Sequence, residues 1–346
     1  MKYMSTHMNL RLAYHPKVVK DIVSQIGVRE VVMRICSFLP SATEIVYALK
    51  LEGNLVGVTH ECDYPPEAKS KPRVIGSLIK PEESTSRDID KLVSENYKAG
   101  KSTYIVDKEI LLKANPNLIL TQELCDVCAV SGNEVVEAVK VLGHEVQIIS
   151  LEPKTLDGIL DTVMIVGEAT ERKAQAGELI NNLRSRIEAV RSLLYEEKDR
   201  PRVFCMEWLD PPYTAGHWIP EMVEIAGGEC SLWKTGEPSF RVSWNEISDL
   251  APQVVVLMPC GFGIERTLKE VDILTSNEHW YRLPAVRKGQ VYLVDANSYF
   301  SRSGPRVVDG LEILARIFHP EICTYEIPHD PVLNLRNYMH LQAYLG

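Results

Sequence analysis

Cysteines gather where loops follow predicted strands: Cys36, Cys62, Cys125 and Cys128 in the first half of the chain, and Cys260 at the matching edge in the second. Cys125 and Cys128 form a Cys-x-x-Cys pair, and His60 stands two residues before Cys62. Together His60, Cys62, Cys125 and Cys128 have the donor set for zinc or another soft metal. Thiolates placed there can instead ligate the metal of a bound molecule or close a reversible disulfide. Hydrolytic and phosphoryl-transfer signatures do not occur: no Gly-x-Ser-x-Gly, no Walker-type glycine loop and no His-Glu-x-x-His is found. Glu207 and Asp210 are a carboxylate pair of the kind that commonly serves as helix caps.

The elements that must position these residues alternate strand and helix. Arg34 to Phe38 reads as a buried strand, and Ser41 to Leu49 as a helix with a Ser41/Glu44 capping box. Further strands are predicted at Leu55 to Thr59, Leu118 to Thr121 and Glu145 to Ile149, with helices from Asp107 to Ala114 and Asn133 to Leu142. The pattern restarts with a strand at Arg202 to Met206, followed by helices from Ile219 to Ala226, Trp244 to Leu250 and Thr267 to Leu274. Strands at Val254 to Met258 and Val291 to Val294 and a helix from Pro305 to Phe318 complete it. Such alternation predicts α/β architecture with parallel sheets and helices on both faces.

Between the halves, Ala176, Ile180, Leu183, Ile187, Val190 and Leu194 mark the buried stripe of one long helix from Thr170 to Lys198, about 43 Å long. The expected layout is an N-terminal appendage over 1–33, a first lobe over 34–154, linking helices over 155–200, a second lobe over 201–319 and a tail over 320–346. In open α/β sheets ligands bind beyond the carboxyl ends of the strands. The loops there hold tryptophan, tyrosine, glycine and proline, which suits a shaped, partly apolar pocket between two lobes.

Composition narrows the partners. With 346 residues, 45% hydrophobic and 25% charged, the chain has room for two cored lobes. A formal charge of -9 argues against nucleic acid. No segment is long and apolar enough to span a bilayer. Residues 1 to 33 break their apolar stretches with charges and read as no secretory signal, so the expected location is cytoplasmic. Eight cysteines are too sparse for a disulfide scaffold.

Arg202-Val203-Phe204 followed by Asp210 to Gly216 resembles the opening of the second lobe in the helical-backbone (class III) solute-binding proteins, and most of all in their cobalamin-binding branch. Ser37 to Glu44, Asp63 to Ala68, Ala251 to Val256 and Phe300 to Arg306 resemble it in the same order. The resemblance implies two Rossmann-like lobes on one backbone helix and non-enzymatic capture of a chelate in the cleft between them. It implies ligand contacts at Tyr64, Tyr213, Tyr299 and Arg302, with Gln122 and Trp218 beside them. Ser77 and Gln122 stand where the cobalamin-binding branch has aromatics, and Ser298 where it has an acid, so the implied ligands include cobalamin, another corrinoid, haem or a siderophore-type iron chelate. The resemblance also implies docking to an ABC permease through one acid per lobe: Glu109 on the first, and Glu224 or Glu221 on the second. The alternative reading is a cytoplasmic metal-binding or thiol-redox protein that reuses the fold through Cys62, Cys125 and Cys128.

Overall fold

Two mostly parallel sheets organise the chain, each sandwiched by helices. A computed structural model describes residues 32–122, 139–324 and 331–345. The first sheet contains β1 (Ile35–Ser37), β2 (Leu55–Thr59), β3 (Arg73–Ser77), β4 (Tyr104–Val106), β5 (Leu118–Thr121) and β6 (Gln147–Ser150), in the order β4-β3-β2-β1-β5-β6. Only β4 runs antiparallel to its neighbour. The second contains β7 (Val203–Trp208), β8 (Tyr213–Thr214), β9 (Val254–Leu257), β10 (Val291–Val294) and β11 (Val332–Asn334), in the order β11-β10-β9-β7-β8. Its two edge strands are the antiparallel ones. Central strands β1, β5 and β9 are buried along their whole length, which is why β9 reads as an unbroken apolar run and β1 and β5 carry a polar residue only at their last position.

In the first lobe, α1 (Pro40–Ala48) follows β1, α2 (Ser86–Lys98) lies between β3 and β4, and α3 (Lys108–Ala114) precedes β5. The expected Ser41/Glu44 capping box does not form. Leu39 is the N-cap of α1 without a side-chain bond, and the Glu44 carboxylate turns toward arginines of the second lobe. A capping box does open α2, where the Thr85 hydroxyl accepts from Asp88 N–H and Asp88 accepts from Thr85 N–H.

The link is a hairpin of two helices, α4 (Leu156–Ala169) and α5 (Lys173–Leu193). With 21 residues, α5 is about 32 Å long, shorter than the predicted rod. Thr170 ends α4 instead of starting α5: its hydroxyl donates to Val166 C=O, and Glu171 takes the turn with φ +57°. Gly167 permits the close approach of the two helices, since a Cβ there would lie 2.4 Å from that of Ala176. α4 packs against α1, while α5 packs against α6 (Ile219–Ile225) and α7 (Val307–Phe318), so each lobe receives one arm of the hairpin. The predicted stripe Ala176, Ile180, Leu183, Ile187 and Val190 is buried. Arg186 of α5 reaches Asp309 and Glu312 of α7 at 2.6 Å each.

The tail that the pattern left unplaced completes the second sheet. β11 pairs antiparallel with β10, and α8 (Leu335–Leu345) packs on both.

Candidate binding cleft

A cavity of about 500 Å³ lies where the loops beyond the strand ends of the two sheets meet. The loops after β1 and β2 contribute Leu39, Pro40, His60 and Glu61, and the first lobe adds Ser77, Tyr104 and Gln122. From the second come Glu207, Trp208, Tyr213, Trp218, Cys260 and Phe262. Trp218 is held in place by its indole N–H, which donates to Phe300 C=O at 3.1 Å. Trp208 packs against Phe262 with ring centroids 5.2 Å apart.

A third wall comes from a segment with no predicted element. Residues 78–103 leave β3, carry α2 across the cleft and return to β4, placing Ile79, Ile89, Asp90, Val93 and Tyr97 on the cavity. By chain this strap belongs to the first lobe, yet its polar groups bind the second. Buried Glu270 accepts from Ser86 N–H at 3.0 Å, from the Ser86 hydroxyl and from Arg266. Arg266 also donates to the carbonyls of Pro81 (2.8 Å) and Ser84 (2.6 Å). Trp208 Nε1 donates to Ser86 C=O at 3.0 Å, and Asp90 accepts from Tyr213 Oη at 3.2 Å and from Arg241 at 3.1 Å. Glu270 stands between two short helices, Ile264–Leu268 and Val271–Thr275, where the sequence predicted one continuous helix.

A second cross-lobe cluster centres on two arginines at the start of α7. Arg302 donates to Asp63 at 2.6 Å, Glu44 at 3.3 Å, Glu61 C=O at 3.1 Å and Asn297 at 3.0 Å. Arg306 grips both oxygens of Glu44, at 2.6 and 3.0 Å. Burial opposes both guanidinium charges, but Asp63 and Glu44 more than offset it, so both arginines are held above their ordinary values. Burial likewise opposes ionisation of Asp63, and the bond to Arg302 with the charges of Arg302 and Arg306 outweighs it, holding that carboxyl below its usual range.

These contacts sort the expected ligand residues. Tyr213, Trp218, Gln122 and Arg302 line the cavity, but the guanidinium nitrogens Nη1 and Nη2 of Arg302 are already engaged by Glu44, Asp63, Asn297 and a carbonyl. Tyr64 and Tyr299 are not on the cavity wall. Instead Arg306 stacks over the Tyr64 ring at 3.9 Å, with the Tyr299 ring 5.6 Å away. Of the predicted metal set, His60 and Cys62 fall among the described residues. His60 faces the cavity, but Cys62 is 1% exposed, with its thiol bonded to the hydroxyls of Thr43 (3.0 Å) and Thr59 (3.3 Å). Burial pushes the Cys62 thiol up, which keeps it protonated. Cys125 and Cys128 lie outside the described residues. Among the described residues no three His, Cys, Asp or Glu side chains are grouped to hold a metal. Glu109 on α3 and Glu224 on α6 are exposed, one on each lobe, whereas Glu221 accepts from Leu156 N–H at the start of α4.

Sequence reasoning missed the strap and Tyr104, and it named the loops that carry Trp208 and Phe262 without singling out either residue. The signal for the strap was present: the Thr85/Asp88 box opens a helix whose Ile89, Val93 and Tyr97 recur every four residues.

A profile of the periplasmic binding protein family matches residues 35–298. The chain belongs to that family. A vitamin B12-binding protein of Vibrio cholerae is 26% identical over 299 residues, which cover 84% of this chain and 88% of that protein. An uncharacterized ABC transporter substrate-binding lipoprotein of Bacillus subtilis is 24% identical over 313 residues, covering 88% and 86%. The crystal structure of a heme-complexed protein of Staphylococcus aureus has a TM-score of 0.63 at 19% identity, covering 83% of this chain and 99% of that one. The two-lobe α/β fold expected for periplasmic binding proteins is the one observed. The expected cytoplasmic location finds no support in this family, whose name is periplasmic and whose members include a lipoprotein. No helix among the described residues is long and apolar enough to cross a membrane.

Proposed function

We propose that this protein is the solute-binding component of an ABC importer, that it works outside the cytoplasmic membrane, and that it captures a metal chelate of corrinoid or tetrapyrrole type without transforming it. The observation that carries this reading is the aromatic-walled cavity of about 500 Å³ between the carboxyl ends of two parallel sheets. Trp208, Tyr213, Trp218 and Phe262 offer flat apolar faces to a ring, and His60 offers a nitrogen donor to its metal. Vitamin B12-binding and heme-complexed proteins among the similar ones support this ligand class. Exposed Glu109 and Glu224, one per lobe, are the acids that would meet permease arginines. The thiol-redox alternative loses Cys62, whose sulfur is closed off from the cleft.

Thermal unfolding with cobalamin, cobinamide and haem tests the proposal. Binding to the native state at a hundredfold excess over Kd adds about 2.7 kcal/mol. A rise in Tm with at least one of them, lost in Tyr213→Ala and Trp218→Ala, is expected; no rise with any of them overturns the proposal.

A further inference from the structure

The charges on the cavity wall narrow the ligand further, on the footing that the cleft is the ligand site proposed above. Among the described residues, three carboxylates line it, Glu61, Asp90 and Glu207, against the single guanidinium of Arg302. That guanidinium is no free anion receptor, because Asp63 and Glu44 stand on it at 2.6 and 3.3 Å and a carbonyl and Asn297 take further bonds. The other arginines of the cleft face outward or are consumed. Arg241 and Tyr213 both donate to Asp90, Arg87 pairs with Asp210, Arg306 grips Glu44, and Arg266 is bound to Glu270. Among the described residues, the only other titratable nitrogen on the wall is that of His60, which lies 3.8 Å from Glu61. Residues 123–138, which lie outside the described residues, contain Glu123, Asp126, Glu134 and Glu137 and no lysine or arginine. Most of the remaining polar side chains on the wall are hydroxyl and amide, including Ser77, Gln122, Ser239 and Asn297, beside the Cys260 thiol.

We infer that the cleft rejects chelates with an anionic rim and takes neutral or cationic ones whose rim carries amide or hydroxyl donors. Bringing a peripheral carboxylate into a partly buried site already holding three others is opposed by like-charge repulsion and by loss of the ligand's hydration. An amide in the same place donates N–H to those acceptors and adds no charge.

One ring with two rims separates charge from shape: haem, with its two propionates, and the same haem with both propionates converted to primary amides. Calorimetric titration is expected to show the diamide bound about tenfold or more tightly than haem. The Glu61→Gln, Glu207→Gln double variant is expected to narrow that gap, because it removes two of the three wall charges and keeps an acceptor oxygen at each position. Its fold is checked by circular dichroism and by retained diamide binding. Haem binding as tightly as the diamide, or a gap unmoved by the double variant, overturns the inference. Failure of haem, the diamide, cobinamide and cobalamin alike is a different result: it removes the proposed function and this inference with it.

Discussion

Arg302 of the second lobe and Asp63 of the first meet at 2.6 Å, across 239 residues of chain, and Arg302 is held a second time by Glu44. This join and the strap clamp on Glu270 fasten the lobes together at two separate places. The strap clamp seals one wall of the cleft, and the arginine cluster fixes the start of α7 against α1.

Glu44 is the acceptor both arginines share, and its side chain is 2% exposed. Glu44→Gln removes the charge that balances two buried guanidinium groups. Urea denaturation is expected to show a loss of about 3 to 5 kcal/mol, the usual cost of breaking a buried pair on one side. A change below about 1 kcal/mol would mean the cluster contributes little to stability.

Asp63 ionises more readily in the folded protein than in the unfolded chain, because Arg302 and Arg306 face it. Its contribution is therefore complete above the unfolded carboxyl value of about 3.9 and is lost as pH falls through the lower folded value. The Tm difference between wild type and Asp63→Asn is expected to be constant near neutrality and to close below about pH 4. A gap that persists unchanged at lower pH would contradict this assignment.

Glu270 anchors the strap through Ser86 and Arg266. In Glu270→Ala the Ser86 N–H and the Arg266 guanidinium lose their buried acceptor. Ligand dissociation, followed by stopped flow, is expected to be about tenfold faster, as a lost charged hydrogen bond of roughly 1.5 kcal/mol implies. Limited proteolysis is expected to cut first between residues 78 and 103. Unchanged dissociation together with an uncut strap would show that this clamp does not hold the wall.

Cys62 and Cys36 are both buried, and burial raises both thiols, Cys36 to about 12. Alkylation at mildly alkaline pH, mapped by mass spectrometry, is expected to leave both unmodified in the native protein and to label both in denaturant. Rapid native labelling of Cys62 would reopen its role as a metal or redox group.

Much of this architecture was legible in the chain. Val254 to Leu257 announced a buried parallel strand by being apolar throughout, and the stripe from Ala176 to Val190 announced the linking helix by its period. Tyr213 was proposed from motif order and Trp218 from its loop beyond a strand end, and both line the cavity. Tyr64 and Tyr299 were placed on the wall by the same logic, but the structure uses them around Arg306, a pairing between residues far apart in sequence that no spacing reveals. The Ser41/Glu44 box failed for a related reason. Local pattern proposed a cap for Glu44, and two arginines more than 250 positions away offered a stronger partner. The strap escaped because ten of the 22 residues from 80 to 101 are charged, and Ile89, Val93 and Tyr97 among its few apolar residues face the cavity.

β11 lies beyond α7 in the chain and hydrogen-bonds along β10. During synthesis β10 leaves the ribosome well before its outer partner, so the growing polypeptide presents an open sheet edge until residue 334 is free. The nascent second lobe thus remains unfinished until its outermost strand has been made, some forty residues after the strand it covers.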